Sequence, residues 1–238
     1  MLKNLLSSFA LLTILSLVTS CSTTDPEDYG VVEMSSTIEN ESVTQTVKGS
    51  GEAIEGGTSI DEVRIDRVRV LLSRLKFKRS SDDTSNGGID VKTGPAVALF
   101  EPGVATLIFE QAIPNGTYDR VKLEKHKFSS SEADDYVGHA VFGDFVEPDR
   151  VTLIIEGVTI SGSETTPFEV RDDATENLWI DFIPSLEVNS DTEAELDLVF
   201  DGLEVFKDGA VLLDPNQSGD LDKIRKNLKD AFRIQNRD

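Results

Sequence analysis

The chain of 238 residues is poor in the side chains that metal proteins and nucleophilic enzymes use: it has one Cys, two His, one Trp and three Tyr. A single Cys rules out an internal disulfide. One Cys with two His rules out a closed zinc site built from those residues alone. Basic residues are scarce as well, with 23 Lys and Arg against 44 Asp and Glu and a formal net charge of −21. That balance argues against nucleic acid as a partner, because phosphate neutralisation needs a broad basic face. It argues equally against passive adhesion to anionic lipid head groups. No Gly-x-Ser-x-Gly elbow occurs, so nucleophilic catalysis has no motif to stand on. The apolar run from Leu5 to Val18 is too short to span a hydrocarbon core of about 30 Å as a stable helix.

What is present begins with an address. Lys3, the short apolar run and small residues before a boundary make a secretory signal. The boundary Val18-Thr19-Ser20-Cys21 resembles the lipobox of bacterial lipoproteins. The resemblance implies cleavage before Cys21, lipidation of its thiol and acylation of the new amine, with fatty acids such as palmitate. The chain's only Cys stands at the one position where that chemistry needs it. Several acyl chains anchor far more firmly than one, which alone gives only marginal binding. By the same resemblance Ser22, not being Asp, points to the outer membrane of a cell that has one. The alternatives are an ordinary secretory signal with a chance Cys near its end, or a buried first transmembrane helix. The polar stretch after Cys21, with Pro26 and three acids, reads as a flexible tether. The expected organisation is a signal peptide over 1–20, an acylated tether over 21–29 and a single β domain over 30–238.

Period-two alternation dominates that domain. Strands are expected around Val32-Met34-Ile38, Val63-Ile65, Val68-Val70-Leu72 and Leu75-Phe77, with a bulge at Asp66-Arg67. Others are expected at Val97-Leu99, Ala105-Leu107-Phe109, Val121-Leu123, Val151-Leu153-Ile155 and Leu178-Ile180-Phe182. The clearest is Ala194-Leu196-Leu198-Phe200, with Glu193, Glu195 and Asp197 on the opposite face. Turn signals recur throughout, and Ser129–Asp149 reads as a long loop. Helical spacing appears once, at Leu221, Ile224, Leu228 and Phe232, before a last short strand from Ala231 to Gln235. The pattern predicts an all-β, antiparallel β-sandwich, immunoglobulin-like or transthyretin-like, with one short C-terminal helix.

Three segments carry a family likeness: Val63-Arg64-Ile65-Asp66-Arg67-Val68-Arg69-Val70, Pro114-Asn115-Gly116-Thr117-Tyr118-Asp119-Arg120-Val121, and the ending Leu213-Asp214-Pro215 to Lys229. They resemble a family of bacterial lipoprotein domains of unknown function, over about Ile60 to Asp238. The resemblance implies an extracytoplasmic β-sandwich and no particular activity.

One loop invites a metal. From Asp214 to Asp222, oxygen-bearing side chains stand at alternate positions: Asp214, Asn216, Ser218, Asp220 and Asp222, with Gly219 at position 6. This resembles EF-hand and dockerin loops and names calcium as the candidate ion. Position 12, where a bidentate carboxylate belongs, is Arg225. The competing reading is a turn in which the same side chains bond the backbone and Asp220 caps a helix.

His126 and His139 lie near acids, but His126 falls on what should be the solvated face of its strand. Trp179 falls opposite Leu178, Ile180 and Phe182 and is expected at the surface. The basic cluster Arg64, Arg67, Arg69, Arg74, Lys76, Lys78 and Arg79 is either a stripe for an anionic ligand such as an acidic polysaccharide or a set of ion-pair partners for acids on neighbouring strands, such as the 193-195-197 face. Tyr118, after a Gly-Thr turn, is expected to pin a loop. These features predict a lipid-anchored cell-envelope protein that is not an enzyme and works by binding, scaffolding or assembly. Its partners are the membrane through its anchor and an envelope protein or polysaccharide. An adhesin or pilus-subunit-like protein, and an envelope hydrolase with unrecognised carboxylates, are the alternatives.

Overall fold

Alternating apolar and polar side chains can satisfy water and core together only by pairing into sheets. A computed structural model describes residues 29–45, 60–80, 95–191 and 193–237. The signal, Cys21, the tether as far as Asp28 and most of the turn-rich stretch after Ser80 lie outside them. In chain order come β1 (Tyr29–Glu39), β2 (Ser42–Thr44), β3 (Glu62–Leu72), β4 (Arg74–Arg79), β5 (Ala96–Phe100), β6 (Thr106–Pro114) and β7 (Gly116–Lys125). A short helix α1 (Ser130–Tyr136) follows, then β8 (Leu153–Ser161), β9 (Glu164–Asp172), β10 (Glu176–Val188) and β11 (Glu193–Asp201). The chain closes with α2 (Gly202–Phe206), β12 (Lys207–Asp208), β13 (Val211–Leu212), α3 (Ser218–Asn227) and β14 (Phe232–Asn236).

The strands form a sheet ordered β14-β11-β1-β6, another ordered β10-β7-β4, and a third ordered β2-β3-β8-β9 with β5 also on β3. One continuous core draws Val32 and Met34 from β1, Ile65 and Val68 from β3, Phe77 from β4, Val121 from β7 and Leu198 from β11. The protein is thus an all-β sandwich, as its alternation predicts. Pairing is antiparallel except that β1 runs parallel to β11, from Val31 opposite Glu193 to Glu39 opposite Asp201. Alternation cannot reveal this, because a strand buries the same face in either direction. The expected bulge is present: β3 pairs Ile65 with Gly157 of β8, then Arg67 with Glu156. Tyr118 is fully buried and its hydroxyl donates to the Pro114 carbonyl at 2.7 Å, pinning the turn between β6 and β7.

Some expectations need correcting. In β5 the main core receives Ala98 and Phe100, while Val97 packs on a smaller cluster and Leu99 lies between the extremes of burial. Leu107 in β6 is 53% exposed. Alternation does not announce strand β9, because Thr165, Thr166 and Pro167 dilute its apolar pattern. The stretch Ser129–Asp149 is not merely a loop. Ser129 and Glu132 form a reciprocal capping box that starts α1, and Phe128, Ala133, Phe145 and Val146 pack with Leu71 and Ile154 into a second cluster. Helix α3 holds Leu221 and Ile224 as the 3.6-residue spacing predicts, but it ends at Asn227, Leu228 falls in a 3-10 turn and Phe232 in β14, and α1 and α2 accompany it.

Candidate functional site

The charges gather at one end of the sandwich, where β7 ends, β8 begins, β9 ends and β10 begins. In β7, Val121 and Leu123 point inward, and the same alternation carries Lys125 into the interior, fully buried. Its ammonium donates to Asp172, the last residue of β9, at 2.9 Å and lies 3.0 Å from Glu176, the first residue of β10. Asp172 is itself only 4% exposed. Thr152 ties the same corner, its amide donating to the Asp172 carbonyl at 2.8 Å and its hydroxyl to the Ala174 carbonyl at 2.8 Å. A buried cation with two carboxylates is tolerable only when such geometry holds.

Beside this corner opens a cleft of about 500 Å³ lined by Lys127, Asp149, Arg150, Val151, Arg171, Asp173 and Arg225. Each cation is held by a different element. Lys127 follows β7 and donates to Asp173 at 2.9 Å. Arg150 donates to the Phe128 carbonyl at 3.1 Å. Arg171 in β9 gathers the carbonyls of Asp144, Glu147 and Asp149. Its Nε is buried with no hydrogen-bond partner among the described residues. Arg225 comes from α3 and donates to the Arg171 carbonyl at 3.3 Å.

Four cations therefore face two carboxylates in a chain whose overall charge is −21. The hydrogen bond from Lys127 holds Asp173 below the usual aspartate range, so it is ionised in neutral solution and cannot serve as an acid there. The lining offers guanidinium and ammonium donors, an arrangement for holding an oxyanion. Sequence reading missed the cleft because its members are far apart in the chain. In the sequence, Arg225 stands out only as the residue at position 12 of the calcium loop.

The other predicted residues are placed as follows. Cys21 lies outside the described residues. In the loop from Asp214 to Asp222, Asp214 accepts from the Asn216 amide at 2.9 Å and Asp220 accepts from the Asp214 amide at 3.0 Å. The Asn216 side chain donates to Thr159 at 3.2 Å. Helix α3 has already begun at Ser218, and the Asp222 side chain points to water, 92% exposed and 4.0 Å from Arg225. The loop thus draws Asp214, Asn216 and Asp220 together through backbone bonds, while Asp222 stands apart. Among the described residues, no three His, Cys, Asp or Glu side chains converge to hold a metal ion. His126 is partly buried rather than on a solvated face, and its Nε2 lacks a hydrogen-bond partner among the described residues. His139 Nδ1 accepts from the amides of Val141 and Phe142, fixing a turn.

The basic cluster splits in two. Arg67 forks onto Glu156 at 2.7 and 2.9 Å, and Arg69 bonds Asp144 at 2.5 Å. Arg67 thus pairs with an acid on the neighbouring strand β8, and Arg74 lies 3.7 Å from Glu124 on the neighbouring β7, as expected of such a cluster, but the 193-195-197 face is not the partner: its Glu195 and Asp197 pair with Arg237 instead. The hydrogen bond from Arg67 holds Glu156 below its ordinary value of 4.5. A carboxyl with a lowered folded-state value stabilises the fold fully above the unfolded value, and that contribution is lost as pH falls through the folded value. Arg67→Met keeps the aliphatic stem but removes the fork, and is expected to cost about 0.5–1 kcal/mol at pH 7 for so accessible a pair. The gap to wild type should close progressively below pH 4.5. Urea midpoints at pH 7 and pH 3 check this; an unchanged gap at pH 3 would assign the loss to packing. The other half of the cluster, Arg74, Lys76 and Lys78, lies on β4 and faces outward.

Compared with protein-family models, curated proteins and solved structures, the chain gives no match. The family likeness of the three segments quoted above therefore rests on those residues alone. No helix of the described residues is long and apolar enough to cross a membrane.

Proposed function

We propose that this protein is a cell-envelope lipoprotein anchored through acylated Cys21, favouring the outer membrane, and that its sandwich is a non-catalytic binding module. The anchor reading is carried by the sole Cys standing behind Val18-Thr19-Ser20, eight residues ahead of the first strand at Tyr29. The cationic cleft supports the binding reading. Its lining supplies Lys127, Arg150, Arg171 and Arg225 as oxyanion donors and contains no Ser, Thr, Cys or His to act as nucleophile or base. The cleft takes a carboxylate, phosphate or sulfate presented by an envelope protein or polysaccharide.

Lipidation requires the thiol, so Cys21→Ser is expected to abolish metabolic labelling with palmitate. The same change should shift the protein from the membrane pellet to the soluble fraction, or leave its signal uncleaved. Label that persists in Cys21→Ser would overturn the anchor assignment.

A further inference from the structure

The inward-facing alternation of β7 ends on a cation, Lys125, which is fully buried. The register of the sheet β10-β7-β4 sets it directly opposite Glu176, the first residue of β10. Asp172 reaches the same point from a different sheet, at the end of β9, where it pairs with Leu153 of β8. The Lys125 Nζ is 2.9 Å from Asp172 Oδ2 and 3.0 Å from Glu176 Oε2. The Lys125 and Asp172 side chains are 1% and 6% exposed, whereas that of Glu176 is 31% exposed.

An ammonium and a carboxylate differ from a secondary amide by one water, and in bulk solution hydration keeps them as ions. This corner opposes that preference in three ways. A desolvated site penalises both charges, and an amide carries none. The strands hold nitrogen and carboxyl together, and well-oriented intramolecular pairs reach effective molarities of about 10⁵–10⁸ M. The Asp172 main chain is itself fixed: its carbonyl accepts from the Thr152 amide and hydroxyl at 2.8 and 3.2 Å, and the same hydroxyl donates to the Ala174 carbonyl at 2.8 Å.

A bond here would also supply what the sequence otherwise lacks. The single Cys excludes a disulfide, the usual covalent brace of exported domains. A link from β7 to β9 ties together two sheets that share no strand pairing among the described residues.

We propose that Lys125 and Asp172 join through an intramolecular amide, Lys125 Nζ to Asp172 Cγ, with Glu176 as the proton carrier. Along the existing hydrogen bond one ammonium proton passes to the Asp172 carboxylate, leaving a neutral amine against a neutral acid. The nitrogen lone pair attacks Cγ and forms the C–N bond. Glu176 takes a second proton from the nitrogen and delivers it to the departing hydroxyl. The C–O bond breaks, and water leaves past the exposed side of Glu176. One hydrogen stays on the amide nitrogen, Glu176 returns to its starting state, and nothing is oxidised or reduced. Folding comes first, because only the folded corner gathers the three groups. Newly folded protein therefore holds the ion pair, and urea unfolding of that unjoined form reports the pair alone. The bond needs neither anchor nor ligand, so it stands or falls independently of the binding reading.

Peptide mass mapping of the full-length protein, held folded in detergent at neutral pH for days, tests this. From an unjoined chain trypsin cuts after Lys125 and releases residues 172–207 as a separate peptide. The joined chain should give a branched peptide, residues 123–127 linked to residues 172–207, lighter than their sum by one water and uncut after Lys125. Its share should grow with time. Glu176→Gln keeps a hydrogen-bonding side chain but cannot carry the proton, and is expected to slow that growth at least about a hundredfold, the low end of general acid–base catalysis. Circular dichroism of this variant should match wild type, since its side chain can turn to solvent. Lys125→Arg keeps the cation and should give no branched peptide. Separate peptides alone from matured wild type, or linkage at the wild-type rate in Glu176→Gln, would each overturn the proposal.

Discussion

Replacing Lys125 by Met is expected to lower the free energy of unfolding by about 3–5 kcal/mol, the cost of leaving one partner of a buried ion pair alone. Lys125 is fully buried and Asp172 only 4% exposed, so the variant strands a carboxylate where water cannot solvate it. Glu176 is better placed, because its side chain is 31% exposed and can turn to solvent. The second step is therefore specific: adding Asp172→Leu to Lys125→Met should recover most of the loss, since apolar replacement of a whole buried pair is often neutral or stabilising. Urea unfolding of the three proteins measures both steps. A single variant within about 1 kcal/mol of wild type would show that the corner is hydrated and the pair dispensable. A double variant less stable than the single one would show that the ions are needed for geometry at the ends of β9 and β10.

The same lysine marks the boundary of what a sequence can reveal. Alternation from Val121 through Leu123 points to position 125 as an inward one, and the structure obeys it. Nothing local says that a Lys there can be neutralised, because Asp172 arrives from 47 residues away. The strand Ala194 to Phe200, the Asp66-Arg67 bulge and the Tyr118 turn were all legible because each is specified by its own neighbours. Helix α1 was legible too, through Ser129 and Glu132 three residues apart, but the glycines and Pro148 around it masked that signal. The parallel partnership of β1 with β11 and the cleft of Arg150, Arg171 and Arg225 were not legible, because long-range topology alone brings those residues together. The basic cluster shows both sides of this. Its charges were visible in the sequence; which acids they meet depended on strand register.

Phe77→Ala is expected to cost about 3–5 kcal/mol, as removal of a fully buried aromatic does when the cavity cannot collapse. The ring stacks on Phe182 at 6.2 Å and meets Tyr118 and Phe109 edge-on at 6.0 and 6.1 Å. It therefore joins β4, β10, β7 and β6, and those neighbours are fixed by their own strands, so little can move in to fill the space. Among the described residues β4 hydrogen-bonds only to β7, which leaves Leu75 and Phe77 as its main hold on the core. The damage should thus be uneven. Amide exchange in β4 should accelerate more than in the central strand β11, which is paired on both sides by β1 and β14. Phe77→Leu fills most of the space and should lose on the order of 1–2 kcal/mol. A loss below about 1 kcal/mol, or exchange accelerated equally in β4 and β11, would show that the ring does not clamp this strand to the core.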